Sequence, residues 1–181
     1  MNASQNTSLV LTVIGDDRPG LVEQLATAIS AHGGNWLESS MAHLSGKFAG
    51  IVCVTIAARD VEGLKKEFST LAGLRITAEV AGSGDAPAAQ PSGRRLKLSL
   101  VGHDRIGIVR EVSQVLARHA VNVEDLSTHT ASAPMSAAIL FHATADLTAS
   151  PTLDTRALTG DLEQISNDLM VDITLDETIR T

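Results

Sequence analysis

Gly15-Asp16-Asp17-Arg18-Pro19-Gly20-Leu21-Val22 decides the fold, because it recurs 87 residues later as Gly102-His103-Asp104-Arg105-Ile106-Gly107-Ile108-Val109. Each copy follows a short apolar run, Leu9 to Ile14 and Leu96 to Val101, and each opens a segment with helical spacing. A strand, a glycine-bounded turn and a helix start make a natural small-anion site. Free backbone N–H groups point outward there, and the helix dipole favours negative charge. Over Gly15–Asn35 against Gly102–Asn122, seven of 21 positions are identical without a gap, where about one or two would match at a random register. The duplication divides the 181 residues into two domains of roughly 80–90 residues each.

Reading outward, Leu9 to Ile14 is apolar except at Thr12, the pattern of a central strand covered on both faces. A helix is predicted from about Pro19 to His32, with Leu21, Val22, Leu25, Ala26 and Ile29 as its apolar stripe and Gly33-Gly34 as its stop. Asn35 to Leu44 and Lys47 to Ala57 read as strands around a Ser45-Gly46 hairpin. A helix from Asp60 to Leu71 and a strand from Leu74 to Ala81 complete the first repeat. The glycine-, proline-, serine- and alanine-rich segment Gly82 to Gly93 reads as a linker.

The cycle then restarts with a strand at Leu96–Val101, a helix at Ile106–Ala120 and strands at Val121–Ala131 and Met135–Ala145. A helix at Thr155–Leu169 and a strand at Met170–Asp176 close it. The ungapped register continues through the middle strands, pairing Glu38 with Asp125 and Val52 with Ile139. Only the second helix then needs an insertion, of roughly nine residues.

The predicted class is α+β: two tandem ferredoxin-like βαββαβ domains, each a four-stranded antiparallel sheet with two helices on one face. The expected boundaries are 1–81 and 94–181, joined by 82–93. The helices leave the other sheet face open. Val10, Ile14, Ile51 and Cys53 make that face apolar in the first repeat, so a second sheet or a partner subunit is expected to cover it, in an oligomer.

Fourteen basic against twenty-one acidic residues give a formal charge of −7, with eight acids and two bases between Asp146 and Thr181. Such a surface repels phosphate backbones, and no basic stripe offsets it, which argues against direct nucleic-acid binding. Three Phe, one Trp and no Tyr leave little stacking surface for bases or sugars. The single cysteine, Cys53, excludes an internal disulfide and fits a reducing compartment. The first eight residues are polar, without signal-peptide features, and no apolar run approaches a bilayer-spanning length, so a cytoplasmic location is expected.

The duplicated strand–G-x-D-R-x-G-[LI]-V–helix pattern, followed by Asn35 or Asn122 at the next strand, resembles the ACT domain, a small amino-acid-binding regulatory module. Two such modules and nothing else are similar to the glycine cleavage system transcriptional repressor family. The resemblance covers about residues 8–81 and 94–178. It implies modules that pair side by side and bind amino acids near the first turn at the pairing surface. It also implies action through a DNA-binding partner protein, in keeping with the absence of a helix-turn-helix pattern here. Pro19 against Ile106 and Asp16 against His103 are departures between the copies, so the two turns need not take the same ligand.

An α-amino acid offers a carboxylate and an ammonium a few ångströms apart. The N–H groups of Gly20 and Leu21, or Gly107 and Ile108, can receive the carboxylate, and glycine permits its close approach. Asp16, Asp17 or the Asn35 amide oxygen can receive the ammonium, as can Asp104 or Asn122 in the second copy. Arg18 and Arg105 belong to the same candidate set. The purely structural alternatives are that Asp17 caps the helix, that Arg18 pairs with a carboxylate and that Asn35 stabilises the turn after the helix.

Neither a metal nor an organic cofactor is expected. His129 and His142 can approach on neighbouring strands, but a third ligand is not evident, and His32 and His119 suit helix C-termini. No Ser–His–Asp set accompanies Ser39, Ser40 or Ser127, so no catalytic residue is assigned. The function expected is therefore non-catalytic sensing of a small amino acid, glycine or serine, coupled to a protein partner such as a transcription factor. The rival readings are an accessory subunit of a metabolic enzyme and a ligand-free scaffold.

Overall fold

The computed structural model describes residues 6–81, 93–133 and 138–177. The chain divides into two compact units, Met1–Pro87 and Ala88–Thr181. The expected linker lies, apart from Gly93, outside the described residues.

The first unit contains β1 (Asn6–Asp16), α1 (Leu21–Ala31), β2 (Asn35–Leu44), β3 (Lys47–Ala57), α2 (Val61–Phe68) and β4 (Leu74–Val80). The second contains β5 (Arg94–His103), α3 (Ile108–Arg118), β6 (Asn122–Ser132), β7 (Ile139–Ala149), α4 (Thr155–Leu169) and β8 (Val171–Glu177). Both sheets are antiparallel, ordered β2-β3-β1-β4 and β6-β7-β5-β8. Two βαββαβ modules in tandem are present, as the repeat dictates. Ser45 and Gly46 both take positive φ, 49° and 74°, the backbone that a two-residue hairpin requires.

The register of the repeat needs one correction. Val52 stands opposite Leu11, whereas Ala145, not Ile139, stands opposite Leu98. The offset between copies is therefore 93 at these strands, and it reaches 97 at Leu74 and Val171. Part of the insertion thus precedes β7 instead of falling wholly in the second helix. A slip of six residues is even, so it preserves the two-residue inside–outside alternation and leaves no trace in the apolar pattern.

Alternation places Leu9, Leu11 and Val13 of β1 with Val52, Val54 and Ile56 of β3 on the helix side of the sheet, where all are buried. Leu21, Leu25, Ala28 and Ile29 of α1 and Leu64 and Phe68 of α2 close this core. Val22 drops out of the expected stripe and stays exposed, as does its counterpart Val109. The second core is built alike from Leu96, Leu98 and Leu100, Ala145 and Leu147, and the α3 and α4 leucines.

Helix α4 carries the only side-chain cap among the described helices. Asp154 Oδ1 accepts the N–H groups of Arg156 (3.0 Å) and Ala157 (3.1 Å). Asp154→Ala is expected to cost about 1 kcal/mol, read as a lower melting temperature by circular dichroism.

The open faces differ between units. Val10, Ile14, Ile51 and Cys53 do share the open face of the first sheet, with Ile14 39% and Ile51 55% exposed. The open face of the second is polar, with Lys97 and Ser99 on β5, His142, Thr144 and Asp146 on β7, and Asp172 and Asp176 on β8.

Candidate functional site

Each junction between a first strand and a first helix begins with a glycine that packing requires. A Cβ on Gly15 would lie 2.2 Å from the Gly73 carbonyl oxygen, and one on Gly102 would lie 2.2 Å from Val171 Cγ1. These glycines let the last strand of each unit close against the first. The Asp17 N–H then donates to the Gly46 carbonyl (3.0 Å), fastening the junction to the β2–β3 hairpin.

The second glycine of each motif serves the backbone. Gly20 and Gly107 take φ of 89° and 102° immediately before the helices. A Cβ on Gly20 would meet nothing within 4 Å, so left-handed conformation, not crowding within the fold, selects glycine there. Their carbonyls accept the N–H groups of Gln24 (3.0 Å) and Glu111 (2.9 Å). Neither helix has a side-chain cap. Asp17 therefore does not cap α1, and its carboxylate instead lies 3.6 Å from His43 Nε2. The first-turn N–H groups of Leu21 and Ile108 have no intrahelical acceptor.

At the first junction, the Lys47 ammonium donates to Asp16 and holds that carboxyl below the ordinary aspartate range. Arg18 Nη2 donates to the Ala72 carbonyl (2.8 Å) and to Gln24 Oε1 (3.3 Å), across Gly73, whose φ is 82°. Its partners are thus a carbonyl and an amide, not the carboxylate that sequence offered as one alternative. Arg18→Ala is expected to destabilise the unit by about 1 kcal/mol, since the bonds are exposed. Thermal melting checks this.

The second junction is built differently. Glu111 occupies the position of Gln24. Its carboxylate lies 4.0 Å from Arg105 and 3.5 Å from Arg110, and Oε1 would be 3.2 Å from a Cβ on Gly107. The side chains of His103 and Asp104 make no hydrogen bond or ion pair among the described residues.

The structure separates the two asparagines from the turns. Asn35 stands opposite Thr55, while Asp16 stands opposite Lys47. The eight residue steps along β3 from Lys47 to Thr55 span about 26 Å. Asn122, opposite Thr148, is equally far from His103, opposite Leu140. It donates from Nδ2 to Glu124 Oε1 (2.6 Å), which also accepts from Thr148. Thr148 first, then Asn122, pulls the Glu124 carboxyl below its ordinary range. Within one unit, Asp16, Asp17, Arg18, Gly20 and Leu21 cluster, as do Asp104, Arg105, Gly107 and Ile108. The asparagines do not join them.

Sequence reading missed Gln24, Lys47, Gly73 and Arg75. An open depression of about 330 Å³ beside the first junction is lined by Ile14, Gly15, Asp16, Lys47, Gly73, Leu74 and Arg75. It offers one carboxylate and two cations. Arg75 reaches it only because β4 pairs with β1, placing it opposite Ile14, and nothing local in the sequence signals that. His32 and His119 do sit at helix C-termini, bonded to the Ala28 carbonyl and to Asp161. Among the described residues no helix is long and apolar enough to cross a membrane.

No curated protein matches the chain. A protein of unknown function from Galdieria sulphuraria is similar in structure, with 31% identity, 97% of this chain and 100% of that one covered, and a TM-score of 0.84. A candidate glycine cleavage system transcriptional repressor shares the fold at 18% identity, with 98% and 100% covered and a TM-score of 0.68. Residues 7–80 and 94–175 each match the model of the ACT domain, a regulatory module that binds small amino acids. The chain belongs to the ACT-domain family.

Proposed function

We propose that this chain is a non-catalytic regulator that senses a small amino acid, glycine or serine, at the first junction and passes the signal to a protein partner. The observation that carries this reading is the uncapped, glycine-led start of α1 beside neutral Gln24. A ligand carboxylate would take the N–H groups of Gly20 and Leu21. At the second junction the Glu111 carboxylate stands beside Gly107 and already takes the Arg105 and Arg110 charges, which leaves a ligand carboxylate less to bind there.

The separation of Asn35 has a physical resolution. β2 is an edge strand, and its far end lies by the junction, with His43 beside Asp17. Antiparallel pairing of β2 with β2 of a second copy lays the start of one strand beside the end of the other. Asn35 of the second copy then reaches the first junction and offers its amide oxygen to the ligand ammonium. Ligand bound across such an edge has unequal affinity for the paired and unpaired states, which is what regulation requires. The partner proposed is a DNA-binding transcription factor, in keeping with the description of the structural relative at 18% identity.

Thermal melting against the twenty amino acids tests the proposal. An effector present at about 100 times its dissociation constant adds about 2.7 kcal/mol, so glycine or serine is expected to raise the transition while most others leave it unchanged. Gly20→Val is expected to abolish the rise. Flat curves for all twenty would leave the scaffold reading in place. Recovery of a biosynthetic enzyme instead of a transcription factor on co-purification would favour the accessory-subunit reading.

A further inference from the structure

His129 and His142 stand directly opposite each other on β6 and β7. Their rings stack with centroids 4.7 Å apart and planes within 3° of parallel. Neither ring makes a hydrogen bond or an ion pair among the described residues, so their nitrogen lone pairs are not committed to the fold. Both lie on the open face of the second sheet, away from its helices, with Ser127 and Thr144 as the next pair along.

We propose that this pair is a two-histidine site for a divalent first-row transition cation, such as Zn(II), Ni(II) or Cu(II). Two nitrogens ligating one ion at about 2.0–2.1 Å in tetrahedral geometry are separated by about 3.3 Å. Parallel rings 4.7 Å apart reach that spacing by tilting toward each other, without backbone movement. The sheet fixes the two Cβ atoms, so the second nitrogen binds at high effective concentration once the first has bound. Imidazole is the side chain best matched to these ions.

The electrostatics of the face agree. Asp125, Asp146, Asp172 and Asp176 share it with Lys97 and Arg95, and Lys97 is already engaged with Asp146 at 3.6 Å. Asp172, Val101, His142 and His129 lie in one row across four strands. The carboxylates surround the site without ligating it, since no group of three metal-binding side chains is present among the described residues. Water completes the coordination. A site of two histidine nitrogens needs no third protein ligand, whose lack makes a metal unexpected from the sequence alone.

The test uses full-length protein without a histidine tag, freed of metal by a chelator. Titration with Cu(II) is expected to load one ion per chain, with an electron paramagnetic resonance spectrum showing coupling to two nitrogens. Zn(II) is expected to compete. His129→Ala and His142→Ala should each remove the two-nitrogen signal while leaving the melting temperature of the metal-free protein in place, and His103→Ala should leave the signal intact. Failure to bind stoichiometrically, persistence of the signal in either single variant, or its loss only in His103→Ala or Cys53→Ser would overturn the assignment.

Discussion

Leu25→Ala is expected to destabilise the first unit by about 3–4 kcal/mol, in the middle of the range for emptying a buried leucine site. Leu25 is fully buried on α1, against the sheet and beside Ile29, Leu64 and Phe68. The helix cannot collapse into the vacancy without dragging Gly20, Leu21 and the rest of the junction out of register. Trp36 is the sole tryptophan and packs against this core. Its fluorescence during urea unfolding therefore reads the first unit, and the midpoint should fall sharply. Any amino-acid response should weaken with it. A midpoint close to that of the unaltered protein would show that α1 docking contributes little to this core.

Gly15→Ala is the second large effect, about 3 kcal/mol, at the top of the usual cost of overpacking. The added methyl would sit 2.2 Å from a backbone oxygen, that of Gly73, and 3.0 Å from Leu74 Cδ2. A backbone carbonyl cannot rotate aside as a side chain can. β4 must therefore shift away from β1, taking Gly73 and the Arg18 contact with the Ala72 carbonyl along. The same fluorescence experiment checks it. The measurement also separates the two glycines of the motif. Gly20→Ala carries only the penalty of a positive φ, about 1 kcal/mol, because open space surrounds its Cβ position. Equal effects at the two positions would contradict this division of roles.

How legible the molecule was follows from the periodicities involved. Helix α4 and the strands β2 and β3 run over Thr155–Leu169, Asn35–Leu44 and Lys47–Ala57, bounds that the apolar spacing and the Ser45-Gly46 turn already mark. β7 begins four residues after the expected Met135, and its register within the repeat is shifted by six. Its alternating run looks the same after an even slip, and only pairing with β5 fixes which residue faces Leu98. The candidate site shows the same division. Its local part, from Asp16 to Leu21, is continuous in sequence and was read directly. Lys47 and Arg75 come to it from other strands, across pairings that no local pattern encodes.

By itself, then, the sequence determined two βαββαβ modules, the glycine-led helix starts and a net charge of −7. Repetition, periodicity and charge are properties of the chain that survive without coordinates. Only the tertiary structure decided that Gly15 and Gly102 serve strand closure, that Arg18 fastens a loop, that Asn35 lies about 26 Å from the turn, and that His129 and His142 stack. Each of these depends on which residue of one strand faces which residue of another, and strand register is set by long-range pairing instead of by neighbours along the chain.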